Sequence, residues 1–265
     1  MAIKFGIMCN HFVFPYWQVK CIDYLLDTGA ELSLIICNKI GSQPKGLMTK
    51  TKKLLLLYYL YDYFILRHSK SMQLVCLEDN FELSTKINCQ TEFRDKYSQY
   101  FTEDDIATIR SYRLDFIIRF GFGIIRGDIL ESAQYGIWSF HHDNEEKYRG
   151  SPPGFWEIYH DDPVTGCVLQ RLTNRLDSGV ILKKGFIKTI NTSYADNRDN
   201  VFIKGTKWPA QISLALQNGD KEIFLNQQSQ TTAPIYKRPS NIQMIYFLSK
   251  LVKNKLLFCY KNIFS

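Results

Sequence analysis

Ser139 and His141 stand two residues apart in the run Gly136-Ile-Trp-Ser-Phe-His-His-Asp, which reads as a strand ending in polar groups. Side chains alternate along a strand, so this spacing sends a hydroxyl and an imidazole to the same side, where they converge on one point. The neighbouring His142 is a weak hint of metal, but no cysteine or further histidine stands at ligand spacing, and no metal is expected. Downstream, Leu176-Asp-Ser-Gly places Asp177 just before another strand. Such a run is commonly only a turn. It is equally able to present a carboxylate that orients and charge-stabilises a histidine on a neighbouring strand.

Two loops flank these groups. Asp115-Phe-Ile-Ile-Arg-Phe-Gly-Phe-Gly-Ile-Ile is an apolar strand running into a glycine-interrupted turn, in which Gly121, Phe122, Gly123 and Ile124 would let the backbone approach a flat heteroaromatic ligand. Alone, it reads as a strand and an ordinary turn. Tyr148-Arg-Gly-Ser-Pro-Pro-Gly-Phe-Trp-Glu is held irregular by its prolines and glycines, and Tyr148, Arg149 and Trp156 offer rings and a cation to an anionic partner. The plain alternative is a rigid surface turn.

The elements that must position these groups follow from periodicity. Strands are expected at 3–8 and 31–37 around a helix at 17–26, whose Val19, Ile22, Leu25 and Leu26 share a face. This opening favours a parallel sheet, and open sheets of that kind bind ligands beyond the carboxyl ends of their strands. The loop after the first strand has no glycine, so the dinucleotide fingerprint is missing and NAD or FAD is a poor fit. An aromatic helix at 53–68, a strand at 73–77, a helix at 103–112 capped by Thr102, and strands at 114–120 and 135–140 follow. Strands at 167–172 and 180–187 should pair. Beyond Ile190 the pattern changes to helix, a short strand at 222–225 and a closing helix at 242–260, so the chain is divided into units 1–190 and 191–265.

Composition narrows the classes. With 265 residues, 45% hydrophobic and 22% charged, the chain can bury a large core, which excludes disorder and small disulfide-stapled scaffolds. Seven cysteines without paired spacing signal neither a disulfide framework nor a zinc knuckle, so reduced thiols and a cytoplasmic location are expected. The greasy stretch at 54–66 contains Asp62 and falls short of a span, which points to a buried or interfacial helix and no stable membrane insertion. The net charge of +7 suits an anionic partner without being the footprint of a dedicated nucleic-acid binder.

Taken together, Ser139-Phe-His141, Lys147-Tyr-Arg-Gly150, Val164-Thr-Gly166 and Leu176-Asp-Ser-Gly179, in this order and at these separations, resemble the folate-dependent formyltransferases. That family places an Asn-x-His strand before a Tyr-Arg-Gly loop, then a Thr-Gly strand and Leu-Asp-x-Gly. The resemblance is detailed over residues 115–185 and loose in the first hundred. It implies an α/β, Rossmann-like core with a mostly parallel sheet and a small α+β C-terminal subdomain. It also implies N10-formyltetrahydrofolate as co-substrate, with Gly121, Phe122, Gly123 and Ile124 on the pterin side and His141, Asp177 and Ser139 as catalytic groups. Ser139 stands where the family has asparagine, and Asn144 or a water is expected to share its task.

The form of the loop, with Ser-Phe-His-His and Arg-Gly-Ser-Pro-Pro-Gly-Phe-Trp-Glu, is most similar to the subgroup that formylates nucleotide-linked amino sugars such as GDP-perosamine or dTDP-3- or 4-amino sugars for O-antigen. The 75 residues after Ile190 leave little room for the barrel of methionyl-tRNA formyltransferases. By this resemblance the partners are a nucleotide-diphospho-amino sugar, met by Tyr148, Arg149, Trp156 or the lysines of 45–53, and a second copy in a homodimer. The alternatives are a tRNA-directed formyltransferase and a binding module weakened by Ser139.

Overall fold

The computed structural model describes residues 2–39, 53–77, 84–95, 98–174, 179–225 and 231–263. Seven strands form the central sheet: β1 (Lys4–Cys9), β2 (Glu31–Asn38), β3 (Thr85–Cys89), β4 (Phe116–Arg119), β5 (Ile137–His141), β6 (Val164–Arg171) and β7 (Val180–Lys188). Their order is β7-β6-β5-β4-β1-β2-β3. The five strands from β5 to β3 run parallel, and β6 and β7 join antiparallel at one edge. Strand order reverses between β1 and β4, whose carboxyl ends therefore flank the crevice where open α/β sheets take ligands.

The parallel strands are apolar on both faces because both are covered. One face, with Phe5, Ile7, Phe116 and Trp138, packs under helices α1 (Tyr16–Asp27), α5 (Tyr194–Gly205) and α6 (Trp208–Gln217). The other, with Met8, Leu34, Ile36 and Ile117, packs on α3 (Glu103–Ser111). Helix α3 begins where expected, the Thr102 side chain accepting from the Asp105 amide at 3.2 Å. A third, aromatic cluster joins α2 (Leu56–Phe64), α4 (Phe155–Tyr159), α5 and the closing helix α7 (Asn241–Ile263) around Phe155, Tyr194 and Phe247. Val201, Phe202, Trp208 and Ile212 thus share one core with Phe5 and Phe116, across the change of pattern at residue 190.

Several elements differ from expectation. Residues 73–77 give only Leu74–Cys76, paired with Val13–Pro15 in a two-stranded ribbon outside the central sheet. Glu222–Leu225 is a 3-10 turn, not a strand. The edge strand β3 was not anticipated because Thr-Lys-Ile-Asn-Cys buries only Cys89 fully and shows no run of apolar residues. Leu26, grouped with the buried face of α1, is 46% exposed, and Cys21 is buried instead.

Candidate active site

Ser139 and His141 do share a side of β5, and the chain places them in one cavity of about 160 Å3 with Gly123, Ile124, Gln170, Leu172, Thr173 and Asn174. The cavity opens at the carboxyl ends of β4 and β5. His142, one residue on, points the other way: it is buried, its ring stacked on Phe202 at 3.9 Å, and burial drops its pKa to about 3, so it is a neutral core residue. Among the described residues no cluster of His, Cys, Asp or Glu is placed to hold a metal.

The residue that organises the cavity is one the sequence reading passed over. Arg119 closes the aliphatic strand β4, and its guanidinium lies between Ser139 and the glycine turn. Nη2 donates to Ser139 Oγ at 2.8 Å, and Nη1 donates to the Gly123 carbonyl at 2.7 Å. Nε has no partner, and burial pulls the pKa of Arg119 below its ordinary value. Because a guanidinium can only donate, Ser139 Oγ accepts here, and its own proton is left to donate into the cavity. A cation inside an otherwise apolar strand, Phe-Ile-Ile-Arg, was the available signal.

The glycine turn is braced by the protein itself. The amides of Phe120 and Gly121 both donate to the Met8 carbonyl at 2.9 Å, the Phe122 amide to Asn10 Oδ1 at 2.9 Å, and the Gly123 amide to Gln99 Oε1. All four N–H groups are therefore used within the protein. A Cβ on Gly121 would meet the backbone of Cys9 and Asn10 at 2.6 Å, so this glycine lets the turn pack on the end of β1. Gly123 and Ile124 line the main cavity, whereas Gly121 and Phe122 line a neighbouring one of about 180 Å3. Arg119, Ser139 and Phe140 form the wall common to both.

Tyr148, Arg149 and Trp156 do not form a single open anion-binding surface. Tyr148 is buried; its carbonyl faces His141 Nε2 at 3.4 Å and its hydroxyl meets Asp162 at 3.4 Å. Arg149 Nη1 donates to the Ala233 carbonyl at 3.2 Å, within a short parallel ribbon that pairs Arg149–Gly150 with Ile235–Tyr236. Trp156 is 5% exposed, and its Nε1 donates to the Ser151 carbonyl at 3.2 Å. Its edge borders a separate depression of about 350 Å3 with Tyr236, Lys237 and Arg238. Asn144, expected with a water as the alternative to share the task of Ser139, closes a turn: its Oδ1 accepts from the Glu146 amide and its backbone packs on Gly166.

Behind this loop sits a buried acid pair. Asp143 accepts from the Gly154 amide at 2.8 Å, and burial together with Glu157 raises its pKa well above the ordinary carboxylate range. Glu157 is fully buried with no well-formed hydrogen bond to either oxygen, and burial, helped by the charge of Asp162, pushes its pKa to about 7. Asp177 and the lysines of 45–52 lie outside the described residues. Asn174, three residues before Asp177, lines the cavity with His141.

Known proteins can be set beside this geometry. No family model matches the chain. A methionyl-tRNA formyltransferase from Prochlorococcus marinus is 29% identical over 113 residues, 42% of this chain and 30% of that protein. Another, from Agathobacter rectalis, is 25% identical over 130 residues, 48% of this chain and 42% of its own length. The chain thus spans between about a third and two fifths of these relatives. A solved glycinamide ribonucleotide transformylase from Symbiobacterium toebii superposes with a TM-score of 0.54 at 13% identity, over 82% of this chain and 89% of that one. The fold is the formyltransferase fold. Within it, the cavity holding Arg119, Ser139 and His141 lies at the carboxyl ends of the parallel strands β4 and β5, one strand along from the reversal of strand order.

Proposed function

We propose that the chain is a folate-dependent N-formyltransferase that moves a formyl group from N10-formyltetrahydrofolate to the amine of a nucleotide-linked amino sugar. The observation that carries this reading is the Arg119–Ser139 hydrogen bond, which turns a serine hydroxyl and a half-buried guanidinium toward the same cavity as His141. Donors held ready in a cavity suit a carbonyl oxygen that gains negative charge. The partnerless Arg119 Nε fits the same need.

In this reading Ser139 donates to the formyl oxygen as the amine adds to the formyl carbon, and Arg119 holds Ser139 and supplies positive charge behind it. His141 accepts the amine proton and returns a proton to N10 as the C–N10 bond breaks, leaving a formamide and tetrahydrofolate. Asp177 orients His141. Gly123 and Ile124 wall the folate ring on one side, and the turn beside them offers shape and a carbonyl edge, not amide donors. For the acceptor, Trp156 and Tyr236 with Lys237 and Arg238 give rings and cations suited to a nucleoside diphosphate.

The curated relatives favour a second acceptor, charged initiator tRNA. The two readings separate in one experiment. The full chain is incubated with N10-formyltetrahydrofolate and either GDP-, UDP- and dTDP-linked amino sugars or charged initiator tRNA, and formylated product is read by mass. Product with a nucleotide sugar supports the proposal. Product with the tRNA alone overturns the sugar assignment, and no product with any acceptor overturns the transferase reading.

A further inference from the structure

Helix α7 carries two apolar stripes, and among the described residues only one of them has a partner. Met244, Phe247 and Leu251 are buried in the aromatic cluster. A second stripe, Ile242, Ile245, Val252, Leu256, Cys259 and Ile263, recurs at three- and four-residue steps with Ser249 filling its one gap. At 3.6 residues per turn it lies about a third of a turn from the buried face. Ile242, Ile245, Val252, Leu256 and Ile263 are 80%, 60%, 60%, 66% and 74% exposed. A helix that only packed on its own domain would present polar residues there.

Helix α2 packs beside α7 and exposes apolar residues of its own. Asn241 ties the two helix starts together, its amide donating to the Leu54 carbonyl at 2.8 Å and its side chain accepting from the Leu57 amide at 2.9 Å. Beyond that junction α2 exposes Leu56, Leu60, Tyr63 and Phe64. Aromatic rings of this kind favour the boundary between water and lipid.

Charge decides what covers the surface. From residue 237 to 263 the chain has Lys237, Arg238, Lys250, Lys253, Lys255 and Lys261 and no acidic residue. Lys250 is held by Asp161 at 2.6 Å, but on the helical wheel Lys253 and Lys255 flank the exposed stripe on its two sides. A second copy pairing through the stripe would bring lysine against lysine with no carboxylate to answer them. An anionic lipid surface would answer both the lysines and the apolar stripe.

We propose that α7 and α2 seat the protein on an anionic membrane surface, α7 lying in the plane of the interface with its exposed stripe toward the acyl chains. No helix among the described residues is long and apolar enough to cross a membrane, so the association is peripheral. This proposal does not depend on the reaction assigned to the cavity.

The test is sedimentation of the full chain with phosphatidylcholine vesicles, with and without phosphatidylglycerol. Binding is expected only with phosphatidylglycerol, weakening as salt rises. Each lysine near such a surface contributes about fivefold, so the combined Lys253→Gln and Lys255→Gln variant should partition about 25-fold less. Ile245→Glu with Leu256→Glu should abolish binding while leaving the melting temperature in place. Failure to bind anionic vesicles, or equal binding to neutral ones, overturns the proposal. So does a dimer in sedimentation velocity that the Ile245→Glu, Leu256→Glu variant dissociates while vesicle binding is unchanged, because the stripe then belongs to a second copy.

Discussion

Replacing Arg119 by methionine should separate fold from function. The side chain donates two good hydrogen bonds, to Ser139 Oγ at 2.8 Å and to the Gly123 carbonyl at 2.7 Å. Bonds from a charged donor contribute about 1.5–3 kcal/mol each, so their loss costs about 3–6 kcal/mol. Against this stands the cost of partly burying a guanidinium whose Nε is inaccessible and unpartnered and which shows no carboxylate partner among the described residues, about 2–4 kcal/mol. The two nearly cancel, so stability should change by less than about 2 kcal/mol and the melting temperature by only a few degrees. Turnover of N10-formyltetrahydrofolate with the acceptor that supports it should nevertheless fall about 100- to 1,000-fold, the loss typical of one oxyanion donor. Lysine at this position keeps the charge but not the planar fork that spans Ser139 and Gly123, and should recover only part of the rate. A large drop in melting temperature for Arg119→Met would make Arg119 a structural strut. Turnover within about threefold of wild type would refute its role at the oxyanion outright.

Four further outcomes follow from the same geometry. Ser139→Ala should lower kcat about 100-fold or more with KM little changed, since the lost bond forms to developing charge. His141→Asn and Asp177→Asn should each depress kcat, the first by about 100- to 10,000-fold, and neither should shift the melting curve greatly. Glu157 has its pKa raised to about 7 from 4.5, so the native state holds an extra proton between those values and stability contributed by Glu157 is lost as pH rises through that window. Relative to wild type, Glu157→Gln should therefore gain about 3 kcal/mol on going from pH 4.5 to above 7, read by denaturant melts at several pH values. His142, held neutral with a pKa near 3, acts in the opposite sense below its ordinary value of 6.5, and Asp143, also raised, acts with Glu157, so the variant is compared with wild type at each pH. Gly121→Ala would press a methyl group into the backbone of Cys9 and Asn10, and should cost about 1–3 kcal/mol and weaken folate binding.

What the sequence makes legible here is the part governed by local pattern. The Ser139–His141 alternation, the Thr102 cap, the paired edge strands β6 and β7 and the closing helix all follow from short-range periodicity, and all are present. The role of Arg119 depends on β4 and β5 lying side by side, a juxtaposition of residues twenty positions apart that no local pattern encodes. Tyr148 and Trp156 look like exposed rings in a loop rich in proline and glycine. They are buried because Tyr236, some eighty residues on, packs against both rings, at 5.5 Å from Tyr148 and 4.7 Å from Trp156, in the cluster that α7 completes. The same long-range packing explains Gly121, which lets the turn pack on the end of β1.

The central claim is that this cavity carries a formyl group from folate to an amine. A single turnover with N10-formyltetrahydrofolate labelled at the formyl carbon, in the presence of an accepted nucleotide-linked amino sugar, follows that carbon directly. The label should appear in an amide on the sugar with the wild-type chain and remain on folate with Arg119→Met over the same time. Label that stays on folate with the wild type, or leaves as formate at the same rate from both proteins, would contradict the account.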